Sequence, residues 1–207
     1  MPAAALGVLS FAAAAVTWPE GPQAEDRDSA DRASAVAAVL ASRPAGDART
    51  ARHPPPAPAA LPGAGVPTRV VIEALGVDAP VLSVAMQGRS LDPPPDPQDL
   101  GWWAAGARPG DARGSALVTG HTVHDGGGAL DDLEEIVRGT EIRVRTSGGT
   151  VRYVAERIAV LDKRDVARSA PQLFSQETGG RLVLVTCEGW DGTGYRSNVV
   201  VVASPVA

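Results

Sequence analysis

The chain contains one cysteine, Cys187, and three histidines, His53, His121 and His124. A thiolate is a potent nucleophile, and an imidazole beside a thiol can hold it as half of an ion pair. Arg196 follows Cys187 after eight intervening residues. Its guanidinium could bind a developing oxyanion or a substrate carbonyl. Taken singly, each of these residues also reads as structural or as surface, because free cysteine is among the most buried residue types. Export alters that balance for the thiol, since an unpaired cysteine outside the cell is chemically exposed and usually has a use. Spacing alone does not decide between the readings.

The elements that would position these groups are short β-branched runs. TRVVIEAL, APVLSVAM, SALVTG, TEIRVRT, TVRYVAERIAVL, RLVLVTC and NVVVVA are separated by Gly, Pro and Asp turns from Thr68 onward. Cys187 ends one run, His121 follows another and Arg196 opens the last, each beside glycines. A strand end holds a side chain rigidly while letting it face a cleft. Seven such runs predict a mainly β sandwich or barrel. A helix is expected over 128–137, where Leu130, Leu133 and Ile136/Val137 recur at helical spacing before Arg138-Gly139. A second short helix is expected near 170–176. Asp131, Asp132, Glu134 and Glu135 would then complement the first helix's dipole as a solvated face.

Composition narrows the function. Among the 207 residues Gly and Pro make up about a fifth, which points to many turns. The net charge of −5 gives no argument for a nucleic acid partner. A single cysteine excludes a disulfide framework and any multi-cysteine metal centre. His121-x-x-His124 could suggest a metal, but Cys187 would be the only third soft ligand, so His124 reads as a solvated loop residue. No metal site and no cofactor are expected. Trp102 and Trp103 read as core or groove-wall aromatics, and Trp190 either lines the groove or covers the barrel end.

Residues 1–19 carry an uncharged run from Pro2 to Pro19, between a signal-peptide core and a membrane span in length. They are expected to be a signal peptide or membrane anchor. Residues 20–67 are rich in Ala, Pro, Asp and Arg and are expected to be a disordered stalk, with a short helix over 28–42. The folded domain would span 68–207.

Thr119-Gly120-His121-Thr122, Leu184-Val185-Thr186-Cys187 and Tyr195-Arg196-Ser197-Asn198-Val199 resemble the three signature elements of sortases, the cysteine transpeptidases of Gram-positive cell surfaces. The match runs over 68–204 in the order His, Cys, Arg. The segments TRVVIEALGVDAPVL and GWWAAGARPG resemble the actinobacterial class F sortases most, and class E next.

The resemblance implies a closed eight-stranded β-barrel with one or two short helices and an active-site groove at strand ends. It implies that Cys187 attacks a Thr–Gly type bond in a sorting signal and forms a thioester, which an amine such as that of a cell-wall precursor then resolves. His121 would be the general acid and base, Arg196 would stabilise the oxyanion, and Thr186 and Trp190 would contact substrate or oxyanion. The substrates would be surface proteins bearing sorting signals, met on the outer face of the plasma membrane where the N-terminal segment anchors the enzyme, or in the medium if that segment is cleaved.

The chain departs from the family pattern at Val183, where a Thr is usual, at Leu130 in place of an aromatic, and at Gly139-Thr140 in place of Gly-Asp. Glu188 follows the thiol directly, and a carboxylate there would oppose thiolate formation unless it points away. Papain-like peptidases place Cys before His, and the caspase and L,D-transpeptidase neighbourhoods of the nucleophile are absent. A catalytically unused barrel serving as a binding module, or a cysteine peptidase that only hydrolyses, are the rival readings.

Overall fold

A computed structural model describes residues 59–88, 90–190 and 192–206. The apolar run at 1–19, the helix expected over 28–42, His53 and most of the expected stalk lie outside them. Eight strands form a closed barrel in the order β1-β2-β3-β4-β7-β8-β6-β5. They are β1 (Pro67–Ile72), β2 (Val77–Val84), β3 (Leu100–Trp103), β4 (Ser115–Thr119), β5 (Glu141–Thr146), β6 (Gly149–Asp162), β7 (Arg181–Trp190) and β8 (Tyr195–Pro205). Closure removes the free strand edges that so many β-branched runs would otherwise present.

Alternation along each strand sorts side chains into two cores. Val70, Ile72, Val118, Ile142, Val144, Leu182, Leu184, Val199 and Val201 fill the barrel interior. The intervening residues Leu117, Val183, Val200 and Val202 face outward and pack under one α-helix, α1 (Lys163–Leu173), through Leu173 and Val166. The sheet β4-β7-β8 is thus buried on both faces at one end, which is why its strands read as unbroken apolar runs.

Both helix expectations are corrected. The helix expected near 170–176 is α1, which starts at Lys163 because the Asp162 side chain accepts from Asp165 N at 2.7 Å and caps it. Pro171 lies within its last turn rather than at its start. The helix expected over 128–137 is a run of turns with one 3-10 turn at Leu133–Glu135. Its bonds are of the i to i−3 kind, with Leu133 N donating to Leu130 O, Glu135 N to Asp132 O and Ile136 N to Leu133 O. Leu130, Leu133 and Ile136 do recur on one buried face, but a strict spacing of three is the 3-10 period. Gly126 and Gly127 at positive φ precede this turn.

Two other features were not foreseen. Strand β3, only four residues long, pairs parallel with β2 and antiparallel with β4. The chain also joins the barrel before Thr68: Leu61 N donates to Gly110 O at 2.7 Å and Gly65 N to Pro109 O at 3.2 Å. The end of the expected stalk is therefore bonded to the folded body. Trp102 is buried and donates its Nε1 to Ala107 O at 3.0 Å, so it is a core residue, while Trp103 meets Phe174 edge-on at 5.8 Å.

Candidate active site

Strand pairing brings the three distant residues to one place. Strands β4 and β7 run parallel with Thr119 opposite Val185, and the ladder continues as Gly120 N donates to Val185 O at 3.1 Å. The next residue, His121, therefore arrives at the level of Cys187. Strand β8 runs antiparallel to β7 with Asn198 opposite Cys187, so Arg196 stands two residues along on the same face. That face is the outer one, since Val183 and Val185 on β7 and Val200 on β8 belong to the outer core. His121, Cys187 and Arg196 thus share the open end of a sheet whose other end is covered by α1.

A threonine clasp holds the His and Cys strands at a fixed separation. The Thr186 hydroxyl donates to Gly120 O at 3.0 Å, and Thr122 Oγ1 lies 2.7 Å from both Thr186 Oγ1 and Cys187 O. Asn198 Nδ2 donates to Thr186 O at 3.1 Å, joining β8 to the same point. Thr186 was expected to touch substrate or oxyanion. It is 2 % exposed with its hydroxyl engaged inside the barrel, because it precedes the thiol by one position and so faces the opposite side. Gly120 is required here for space: a Cβ would come within 2.6 Å of Leu100 and 2.7 Å of Leu130.

Asp131 also departs from its expected solvated role. Its carboxylate accepts from Val123 N at 2.6 Å and Gly128 N at 2.8 Å, pinning the loop that follows His121. His124 in that loop is exposed and stacks on Trp190, with ring centroids 5.3 Å apart, and Trp190 meets Tyr195 at 5.2 Å. These rings wall a cleft of about 450 Å³, which is also lined by Thr122, Asp131 and Asp132. Trp190 therefore lines a groove rather than capping the barrel. Among the described residues no cluster of three or more His, Cys, Asp and Glu side chains could hold a metal ion.

Burial pushes the half-buried Cys187 thiol above its ordinary value of 9.0, and the Lys163 ammonium opposes that shift. Lys163 reaches this neighbourhood because Asp162, the residue before it, pairs with Ser197 on β8. Nothing in the sequence marked Lys163, since its place depends on where α1 begins. A raised value means a protonated thiol at neutral pH, with the thiolate fraction rising about tenfold per pH unit below that value. Alkylation of Cys187 by iodoacetamide should therefore keep accelerating from pH 6 to pH 9 (a window around the ordinary thiol range). A rate that levels off near neutrality, read by intact mass, would contradict this.

A sortase domain model matches residues 70–206. A search of curated proteins found no match. Among solved structures, the chain is similar to sortase C-1 from Actinomyces oris at 20% identity and TM-score 0.53, covering 67% of this chain and 72% of that one. It is similar to a lid mutant of sortase A from Corynebacterium diphtheriae at 19% identity and TM-score 0.54, covering 70% and 72%. Sortase C1 from Streptococcus suis gives 16% identity and TM-score 0.54 over 69% and 74%. At these identities the likeness establishes the barrel fold.

Proposed function

Because the chain belongs to the sortase family of cysteine transpeptidases, we propose that it cleaves a sorting signal near its Thr–Gly bond through a thioester on Cys187. The Cys187 thiol passes its proton to His121, and the resulting thiolate attacks the threonine carbonyl carbon. Arg196 stabilises the resulting oxyanion and orients the substrate backbone. His121 gives a proton to the leaving glycine amine as the C–N bond breaks, which leaves the acyl group on sulfur. An incoming amine then attacks the thioester, its proton passes to His121, and the thiolate departs. Thr186 acts as a positioning residue, through the clasp that spaces His121 from Cys187.

The single observation that supports this reading is the register of β7 with β4 on one side and β8 on the other, which puts the positions of His121, Cys187 and Arg196 on adjacent chain segments within two residues of one another. The family acts on proteins that bear sorting signals and on amine acceptors. Within it, the segments TRVVIEALGVDAPVL and GWWAAGARPG favour class F, then class E. The uncharged run at 1–19 and the Pro-rich stretch after it support anchoring on the outer face of the plasma membrane, with anchoring of surface proteins as the task. The cleft walled by Trp190, Tyr195 and His124, in the loop that follows His121, is the groove assigned here to peptide or amine.

The test is incubation of the protein with Leu-Pro- and Leu-Ala-type sorting peptides, with and without triglycine. Mass spectrometry should show a peptide joined to triglycine at its threonine. Cleavage without joining would make the protein a hydrolase, and no cleavage of any peptide would favour a barrel that only binds.

A further inference from the structure

The connection from β2 to β3 carries three consecutive prolines, Pro93, Pro94 and Pro95, and the Pro94 carbonyl oxygen lies 2.7 Å from His121 Nε2. Proline fixes φ, and a residue that precedes proline is confined to extended ψ. The direction of the Pro94 carbonyl is therefore set by its own ring and by that of Pro95. Pro94 is buried and Pro95 is exposed, so the first is clamped and the second serves only to stiffen.

The connection is fastened on both sides of this contact. Leu91 packs into the outer core that also contains Val185, two residues before the thiol. Pro97 O accepts from Ala129 N at 2.8 Å, and Gln98 Nε2 donates to Gly127 O. Carbonyl and imidazole are thus mounted on one frame.

We propose that the Pro94 carbonyl is the positioning group for His121, which keeps a proton on Nε2 and leaves Nδ1 to trade protons with the leaving and incoming amines. A carbonyl can only accept, so the bond exists only while Nε2 carries hydrogen. Both forms of the ring in the proposed cycle meet that condition. The imidazolium holds hydrogen on both nitrogens and gives up the one on Nδ1 to the leaving amine. The neutral ring keeps Nε2–H, and its Nδ1 lone pair takes the proton of the incoming amine. The contact therefore persists through turnover and fixes the ring plane, much as a carboxylate does in a Ser-His-Asp triad. This inference rests on the reading of His121 as general acid and base.

The experiment uses the full-length protein labelled with 15N-histidine, with His121 identified by comparison with His121→Gln. Long-range 1H–15N spectra above the imidazole titration should show the neutral ring of His121 as the Nε2–H tautomer. Pro95→Gly frees the Pro94 carbonyl and should give a mixture of tautomers. On a Leu-Pro-type peptide with triglycine its kcat should fall about tenfold with KM unchanged. Pro95→Ala carries the same test if the glycine variant does not fold. A wild-type His121 protonated on Nδ1, or a folded variant with unchanged tautomer or unchanged kcat, overturns the inference. If the wild type cleaves no peptide, the tautomers alone decide the role of the carbonyl, and the transpeptidase reading is what falls.

Discussion

Cys187→Ala is expected to abolish cleavage of every sorting peptide, a loss of at least about 10⁴-fold in kcat. The chain holds no other cysteine, so no neighbouring thiol can take over. Without a nucleophile the remaining groups can only polarise a carbonyl toward water, and amide hydrolysis by that route is very slow. The substitution removes one sulfur from a half-buried position three residues before the end of β7, outside both packed cores. The variant should therefore fold with a Tm close to that of the wild type, which separates lost chemistry from lost structure. Cleavage by the folded Cys187→Ala protein above the no-enzyme background, read by chromatography, would show that the thiol is not the nucleophile.

The next largest losses are expected at His121 and Arg196. His121→Ala should lower kcat by about 10³-fold, because the leaving amine then departs without a positioned acid. Arg196→Ala should cost about 10²- to 10³-fold, the range found when an oxyanion donor is removed. Both losses should fall mainly on kcat, since the groups act as charge develops and not on the resting amide. Arg196→Lys should recover only part of the activity, because an ammonium cannot reproduce the planar fork of donors. The double variant should lose much less than the product of the single losses if imidazole and guanidinium act on one transition state. Steady-state kinetics on one peptide measures all of this, and a single-variant loss below about tenfold at either position would remove that residue from the mechanism.

Much of this arrangement is legible in the sequence because it depends on pairing and alternation. The seven β-branched runs are strands, and His121 two residues past β4, Cys187 on β7 and Arg196 on β8 follow the order of neighbouring strands in the barrel. Strand β3 escaped because Leu-Gly-Trp-Trp is too short to show a period and follows a proline-rich stretch. The 130–136 segment misled because so short a run of apolar residues also fits the first turns of an α-helix, and the spacing of three marks the 3-10 turn only once Val137 is seen to be exposed. The start of α1 was hidden in a run that continues β6 up to its cap at Asp162. Thr186 shows the limit of reading a motif without its geometry, since the pleat turns a residue adjacent to the thiol into the barrel wall. The Pro94 carbonyl leaves no side-chain signature at all, and the place of Lys163 depends on a helix boundary, so neither is legible in the sequence.

The most direct test of the account is an intact-mass spectrum of the full-length protein mixed with a cleavable sorting peptide in the absence of an acceptor amine. The expected result is an added mass equal to the acyl half of the peptide ending at threonine, located on Cys187, removed by hydroxylamine and discharged by triglycine with release of the joined peptide. Cleavage of the peptide with no such adduct on the wild type, or the same adduct on Cys187→Ala, would contradict it.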